Sequence, residues 1–111
     1  MANDNVDLLV IGGGSGGLRA AKAAAGHGAS VMLAEEYREG GTCAIRGCVP
    51  KKIFVYASRY AGLVADAPEF GWILPLARFD WQTLLTTKDR ETARLEKLLT
   101  SAQRSLGVEV V

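Results

Sequence analysis

An α/β fold that opens on a parallel βαβ unit is the architecture that this sequence predicts, and three observations predict it. Val6 to Ile11 is a nearly continuous apolar run rich in β-branched residues, which is typical of a strand buried on both faces of a parallel sheet. Glycines and one serine follow at 12–17. An alanine-rich helix at 18–25 and a second apolar strand at 30–34 complete the unit, which we expect to span residues 4–36.

The rest of the chain predicts helices. Apolar residues at helical spacing indicate one helix over about 50–65 and a second over about 80–106, with Asp80 as its N-cap. We expect these two helices to form an antiparallel pair. Residues 108–111 have the pattern of a strand but no visible partner, which suggests a truncated chain. Four aromatic residues flank the loop between the helices and are expected in core or interface packing: Phe70, Trp72, Phe79 and Trp81.

Size and composition indicate one globular domain. Of the 111 residues, 49% are hydrophobic and 23% are charged, which is ordinary for such a domain. The net charge of +1 lacks the basic excess of a nucleic-acid-binding domain, so that class is disfavoured. No apolar run approaches the roughly 18 residues of a membrane span, and the N-terminus does not resemble a secretory signal. We therefore expect a soluble, cytoplasmic protein.

The glycine run has the spacing of a dinucleotide-binding turn. Gly12, Gly14 and Gly17 form the pattern G-x-G-x-x-G between the predicted strand and helix, which is the context that gives this pattern weight. They suit a tight turn, close approach of a pyrophosphate and close helix–strand packing, respectively. Glu35 ends the second strand, 23 positions after Gly12, where a carboxylate can bind ribose hydroxyls. A flavin or a nicotinamide dinucleotide fits this pattern; the alternative is a glycine-rich turn beside a surface glutamate.

Cys43 and Cys48 are interpreted as a redox pair. Residues five apart in a regular helix have Cα atoms about 8 to 9 Å apart, whereas a disulfide needs less than about 7 Å. Pairing therefore requires a departure from regular helix, for which Gly47 is well suited. A bridge over so short a loop adds little stability, so redox chemistry is favoured over a structural disulfide.

Zinc binding and inert cysteines are the alternatives to a redox pair. His27 is the single histidine, which leaves zinc short of four protein ligands, so no metal site is predicted. A position at the end of the first helix suits His27 without any catalytic role. Three nearby cations are expected to stabilise a thiolate: Arg46, Lys51 and Lys52.

The glycine run, followed by GGTCAIRGCVPKK at 40–52, resembles the flavin-dependent pyridine nucleotide–disulfide oxidoreductases. Within that family, the segment looks most like the glutathione reductases of bacteria and plants. Thioredoxin, trypanothione, lipoamide and mercuric reductases are related alternatives, although the last two usually carry serine in place of Lys51. The resemblance implies the N-terminal part of a Rossmann-like FAD-binding domain, followed by a redox-disulfide segment, expected to be a loop at 40–52, and the helix pair.

The resemblance also implies roles for matched residues. Cys43, Cys48 and Lys51 would be catalytic: Cys48 would be the buried partner of the flavin, Cys43 would attack the substrate disulfide, and Lys51 would stabilise the reduced flavin. Ser15 and Lys22 would contact glutathione disulfide. The residues that would bind FAD are Gly12, Gly14, Ser15, Gly16, Gly17, Glu35, Thr42, Cys43 and Lys51.

Two positions depart from the family pattern. Lys22 stands where the family has a glutathione-binding arginine, and Leu99 stands where it has a tyrosine. The resemblance further implies a homodimeric parent protein whose NADPH-binding and dimerisation domains, with the catalytic histidine, lie outside this chain. We therefore expect an N-terminal fragment of a glutathione-disulfide reductase that is inactive alone. A non-catalytic module that binds a nucleotide or a partner is the second hypothesis.

Overall fold

The computed structural model describes residues 5–111 and confirms the α/β class and the parallel βαβ unit. Asp4, where the unit was expected to begin, lies outside the described residues. The elements in chain order are β1 (Leu8–Ile11), α1 (Ser15–Gly26), β2 (Val31–Ala34), α2 (Gly41–Arg46), α3 (Cys48–Asp66), a 3₁₀ turn (Ala67–Phe70), α4 (Trp81–Arg104) and β3 (Glu109–Val110).

The sheet has the order β1-β2-β3, with all neighbours parallel. Its alternate residues point to opposite faces, and Val10 and Leu33 point to the face that α1 and α4 cover. Leu9 and Ile11 point to the other face, where Ile11 is 84% exposed. The expectation that the first strand is buried on both faces is therefore wrong for the described residues, because both covering helices lie on one side.

The last strand has a partner, which corrects the expectation of a lone strand. β3 pairs with β2, with Met32 opposite Glu109. Just beyond it, the Val111 N–H donates to the Leu33 carbonyl at 2.9 Å, and the Val111 carbonyl accepts from the Glu35 N–H at 3.0 Å. Three helices separate the two strands in the chain, so no local pattern indicates the pairing.

Local signals mark both ends of α4. The Asp80 carboxylate accepts from the Gln82 N–H at 3.0 Å, which confirms the predicted N-cap of α4. Gly107 has a φ of +80° and follows the end of that helix. The segment 40–52 was expected to be a loop, but α2 and the start of α3 occupy most of it.

Helices α3 and α4 run in opposite directions, as predicted. Phe54 of α3 stacks on Trp81, the first residue of α4, with ring centroids 5.7 Å apart. The far end of α4 reaches the segment just before α2, where Arg38 pairs with Glu96. Trp72 is 66% exposed, and the other aromatic residues that flank the connecting loop are exposed too, so they lie outside the core. Their role in an interface stays a prediction.

None of the helices that the structure describes is both long enough and apolar enough to cross a membrane.

Gly17→Ala is expected to lower the free energy of unfolding by about 1 to 3 kcal/mol, because overpacking at a close contact has this cost. A Cβ at Gly17 would overlap the Gly12 carbonyl oxygen and lie 3.2 Å from Val10 Cγ1. Gly16→Ala is the matched control, since nothing lies within 4 Å of its Cβ position. Alanine at position 16 should raise the free energy of unfolding by about 0.5 to 1 kcal/mol. Urea unfolding followed by circular dichroism measures both, and equal stability of the two variants would contradict the packing described.

Candidate functional site

The glycine loop and the cysteine segment meet at the carboxyl edge of the sheet. The Gly40 N–H donates to the Gly13 carbonyl at 2.7 Å. A Cβ on Gly41 would lie only 2.7 Å from the Gly14 Cα, and Gly41 has a φ of +62°. Both the close approach and the left-handed backbone conformation favour glycine at this position. The first turns of α1 and α2 therefore lie side by side, and two motifs distant in sequence form one site.

Glu35 lies at the same edge and is tied to the glycine loop. Its Oε2 accepts from the Gly13 N–H at 2.6 Å, and its Oε1 accepts from the Tyr37 N–H at 3.0 Å. Glu35 also lines a cavity of about 600 Å³ at the carboxyl ends of the strands, together with Gly12 and Val111. The carboxyl edge of a parallel sheet is where nucleotides bind in folds of this class.

The first turn of α1 is suited to a phosphate group. Its N-cap is Gly14, in an extended conformation, and no side chain of the described residues caps it. The first N–H groups of a helix have no partner within the helix, and the helix dipole makes this end positive. No acidic residue lies in this turn. Ser15 and Gly16 are exposed, and Thr42 is exposed in the neighbouring first turn of α2. The residues present therefore fit the pyrophosphate and ribose of a dinucleotide such as FAD.

The two cysteines lie on different helices. Cys43 is the third residue of α2 and Cys48 is the first of α3. Gly47 separates them with φ −128° and ψ −106°, which confirms the expected departure from regular helix. Both cysteines are free thiols; Cys48 is exposed and Cys43 is half-buried. Exposure in this structure therefore does not single out Cys43 as the more accessible thiol.

The two thiols interact. A hydrogen bond with the Cys48 side chain is the main cause that raises the pKa of the Cys43 thiol above its ordinary value, and desolvation adds to it. The positive charge of Lys51 acts in the opposite direction and lowers that pKa. The net effect is that Cys43 holds its proton to higher pH than an isolated cysteine.

The other two cations expected near the thiols are engaged elsewhere. The Arg46 guanidinium lies over the Tyr37 ring, 5.7 Å from its centroid. The Lys52 ammonium lies over the Tyr56 ring at 5.1 Å. Cation–π contacts of this kind orient both groups toward aromatic faces. Of the three predicted cations, Lys51 is thus the one that acts on Cys43.

Of the two residues that depart from the family pattern, Lys22 lies apart from this edge and Leu99 lies beside it. Lys22 lines a separate cavity of about 460 Å³ on the outer side of α1, together with Arg19 and His27. His27 is the C-cap of α1, and its N–H donates to the Ala24 carbonyl at 3.0 Å. Leu99 packs against the hydrophobic core, close to Gly40. The part of the chain that the structure describes has no group of three or more His, Cys, Asp or Glu placed to hold a metal ion.

A polar set that no sequence pattern predicts joins the segment before α2 to α4. Arg38 donates to Glu96 Oε2 from Nη2 at 2.6 Å and from Nε at 2.9 Å. One turn along α4, the Thr100 hydroxyl donates to Glu39 Oε1 at 2.9 Å. Glu39 is buried, with 8% of its surface exposed. An acidic residue before a glycine pair has the pattern of a surface turn, so the sequence contains no signal for its burial.

Comparison with known proteins gives the family. A family model described as pyridine nucleotide-disulphide oxidoreductase matches residues 6–111. The chain is 52% identical to the glutathione reductase of Burkholderia cepacia over 110 residues, which are 99% of this chain and 24% of that protein. It is 49% identical to the glutathione reductase of Nostoc sp. over 105 residues, 95% of this chain and 23% of that protein. The chloroplastic/mitochondrial glutathione reductase of Pisum sativum is 37% identical over 116 aligned positions, 95% of this chain and 21% of that protein. The chain spans about a quarter of the length of these curated relatives.

Cys48→Ala is expected to move the pH midpoint of Cys43 alkylation downward, because the substitution removes the hydrogen bond that raises the pKa of Cys43. Adding Lys51→Met should move the midpoint up again, since Lys51 lowers that pKa. Lys52→Met in the same background is the control and should leave it unchanged. The rate of iodoacetamide labelling at Cys43, followed by mass spectrometry across pH, measures the shift. An upward shift in Cys48→Ala would contradict the interaction between the thiols.

Proposed function

The chain belongs to the pyridine nucleotide-disulphide oxidoreductase family, and we propose that it carries the FAD-binding and redox-cysteine part of an NADPH-dependent glutathione-disulfide reductase. The observation that carries the proposal is the junction of Gly13 with Gly40, which puts the nucleotide loop beside the cysteine segment. In this proposal, residues 1–111 are an incomplete FAD-binding domain. The NADPH-binding and dimerisation domains lie outside this chain, in a homodimeric, cytoplasmic enzyme.

The residues at the sheet edge support FAD as the cofactor. The uncapped N–H donors at the start of α1, with Gly14, Ser15 and Gly16, suit its pyrophosphate. Glu35 offers carboxylate oxygens for ribose hydroxyls, and Thr42 offers a hydroxyl for the phosphates. FAD, when bound, would pass two electrons from NADPH to the disulfide of the chain. Lys51 would add a positive charge that stabilises the reduced, anionic cofactor.

Cys43 and Cys48 would carry the exchange of disulfides. Their disulfide takes up two electrons and two protons, which breaks the S–S bond and gives two thiols. Cys43 then loses a proton, and its thiolate attacks one sulfur of glutathione disulfide; this forms a mixed disulfide and releases one glutathione, which takes up a proton. Cys48, after losing its own proton, attacks the Cys43 sulfur, releases the second glutathione and re-forms the Cys43–Cys48 disulfide. The effect of the Cys48 side chain on the pKa of Cys43 supports a sequence in which the two sulfurs react with each other.

The attack by Cys43 needs a base that takes its proton. The side chains that act on the pKa of Cys43 are Cys48, which raises it, and Lys51, which lowers it, and neither is a proton acceptor suited to this step. His27 caps the far end of α1. We therefore assign the base to a part of the enzyme outside this chain, and the 111 residues alone are proposed to have no NADPH-dependent turnover. A nucleotide-binding module without turnover is the second candidate, favoured by the uncapped start of α1 at the sheet edge.

Glutathione disulfide is proposed as the substrate because the relatives named above are glutathione reductases. Lys22 keeps a positive charge for a substrate carboxylate but lacks the planar two-pronged donor of arginine. Ser15 offers a hydroxyl at the start of the same helix. Leu99 has no hydrogen-bonding group, so any contact that it makes with substrate is apolar.

The intact protein is expected to be yellow with noncovalent FAD, and Glu35→Ala should weaken FAD binding by roughly ten- to a hundredfold, because a hydrogen bond to a charged group contributes about 1.5 to 3 kcal/mol. The absorbance ratio of flavin to protein after gel filtration, and a fluorescence titration, measure the effect. Glu69→Ala, an exposed glutamate of the 3₁₀ turn, is the control and should bind normally. Intact protein that carries no flavin, or that binds NAD at this edge instead, would refute the assignment.

The serine variants of the two cysteines are expected to differ in their absorption spectra. Reduced Cys43→Ser should keep Cys48 as a thiolate beside the flavin, with a persistent long-wavelength absorption band and no reduction of glutathione disulfide. Cys48→Ser should lose both the band and the activity. Absorption spectra of the two variants of the intact protein test these roles, and the unsubstituted protein is the reference. A band that survives in Cys48→Ser and disappears in Cys43→Ser would reverse them.

A further inference from the structure

We propose that Glu39 is a positioning residue for Cys43: its buried carboxylate holds the start of α2 against α4 and thereby keeps the two thiols in contact. The inference rests on the proposed function, because it concerns the disulfide exchange between Cys43 and Cys48. Glu39 belongs to neither the glycine motif nor the set of residues to which the family resemblance assigns a role. It is the buried titratable side chain nearest in sequence to the cysteines.

The hydrogen bond between Glu39 and Thr100, called the clamp below, joins the segment before α2 to α4. Its Oε1 accepts from the Thr100 hydroxyl at 2.9 Å, and its Oε2 has no hydrogen-bond partner among the residues that the structure describes. Burial of a carboxylate with an unpartnered oxygen costs free energy, and an apolar side chain of similar volume is often more stabilising at such a position. The Glu39–Thr100 contact therefore fixes the position of the start of α2 rather than adding net stability.

The position of Glu39 is transmitted to Cys43 over a short path. Gly40 follows it with a φ of +117°, and the place of a Cβ there is 2.6 Å from the Ala44 Cβ and 3.2 Å from the Leu99 Cδ1. The start of α2 thus lies close to Leu99 of α4, where a side chain on Gly40 would not fit. Helix α2 has only six residues, and Cys43 is its third, so a shift of its first turn shifts the thiol.

A neighbouring ion pair also links this segment to α4. Arg38 and Glu96 pair one turn before Thr100, and their side chains remain 30% and 26% exposed. Ion pairs at such partly exposed positions weaken with salt. The Glu39–Thr100 hydrogen bond lies in the drier environment and acts together with the Gly40–Gly13 hydrogen bond to hold the start of α2.

The relation between the two thiols is sensitive to this position. Cys48 starts α3, beyond the break at Gly47, so Cys43 and Cys48 belong to two different helices. Held groups react as if at high effective concentration, and loosening one of them lowers that concentration. Loss of the clamp should therefore shift the equilibrium of the pair from the disulfide toward the dithiol.

The test is a thiol–disulfide titration of the intact protein. The protein is equilibrated without oxygen in mixtures of reduced and oxidised dithiothreitol, labelled with iodoacetamide, and the Cys43 and Cys48 peptides are quantified. Glu39→Ala and Thr100→Val remove the same hydrogen bond from its two sides. Each should move the equilibrium toward the dithiol by about tenfold, which is about 30 mV, whereas Glu39→Gln keeps an acceptor oxygen and should stay within about twofold of the unsubstituted protein.

Thr92→Val is the matched control. Thr92 is buried on α4 with 2% exposure, and its hydroxyl donates to the Asp89 carbonyl of the same helix at 3.0 Å. Its loss should lower stability and leave the equilibrium unchanged. A shift in Thr92→Val as large as that in Thr100→Val, or in Glu39→Gln as large as that in Glu39→Ala, would overturn the clamp.

Two further outcomes are distinguishable. A normal Cys43–Cys48 disulfide whose equilibrium is unchanged in both Glu39→Ala and Thr100→Val overturns the inference and leaves the proposed function standing. An unsubstituted protein that forms no Cys43–Cys48 disulfide in any of the mixtures overturns the proposed function, and the inference with it.

Discussion

Two pairs of glycines approach each other closely at the edge of the sheet, and the arrangement of the other site residues depends on this contact. Gly13 and Gly14 belong to the turn after β1, and Gly40 and Gly41 precede the cysteine helix. The Gly40 N–H binds the Gly13 carbonyl, and any side chain on Gly41 would collide with the Gly14 backbone. This contact brings the N–H donors of α1, the carboxylate of Glu35 and the cysteine segment together, where the proposed exchange of electrons between a flavin and a disulfide would take place.

Helix α4 links the core to this edge. Leu99 packs against the hydrophobic core, and the buried Gln103 side chain donates from Nε2 to the Leu18 carbonyl of α1 at 3.1 Å. On the same stretch of helix, Glu96 and Thr100 hold the segment that leads into α2. The helix that covers one face of the sheet thus also locates Cys43. Stability of the core and geometry of the redox pair are coupled through one element.

The described residues leave large apolar surfaces uncovered. Ile11 on the open sheet face, and Ile73 and Leu76 in the loop before α4, are each more than four-fifths exposed. The chain is elongated, 66 × 24 × 18 Å, with the helix pair extending away from the sheet. Exposed apolar patches of this extent are typical of surfaces that other protein elements cover. They accord with the proposal that further domains and a second subunit complete the enzyme.

Features that depend on neighbouring residues could be predicted from the sequence: the order strand, glycine turn, helix and strand, the Asp80 cap, and the helix break at Gly47. Backbone sterics, apolar periodicity and capping act within a few residues, so they are visible in the sequence. The pairing of β3, the burial of Glu39 and the identity of the cation that acts on Cys43 could not be predicted in this way and are seen only in the folded chain. Each of these depends on packing between segments far apart in the chain, where the same residue types suit a buried contact and a surface equally well.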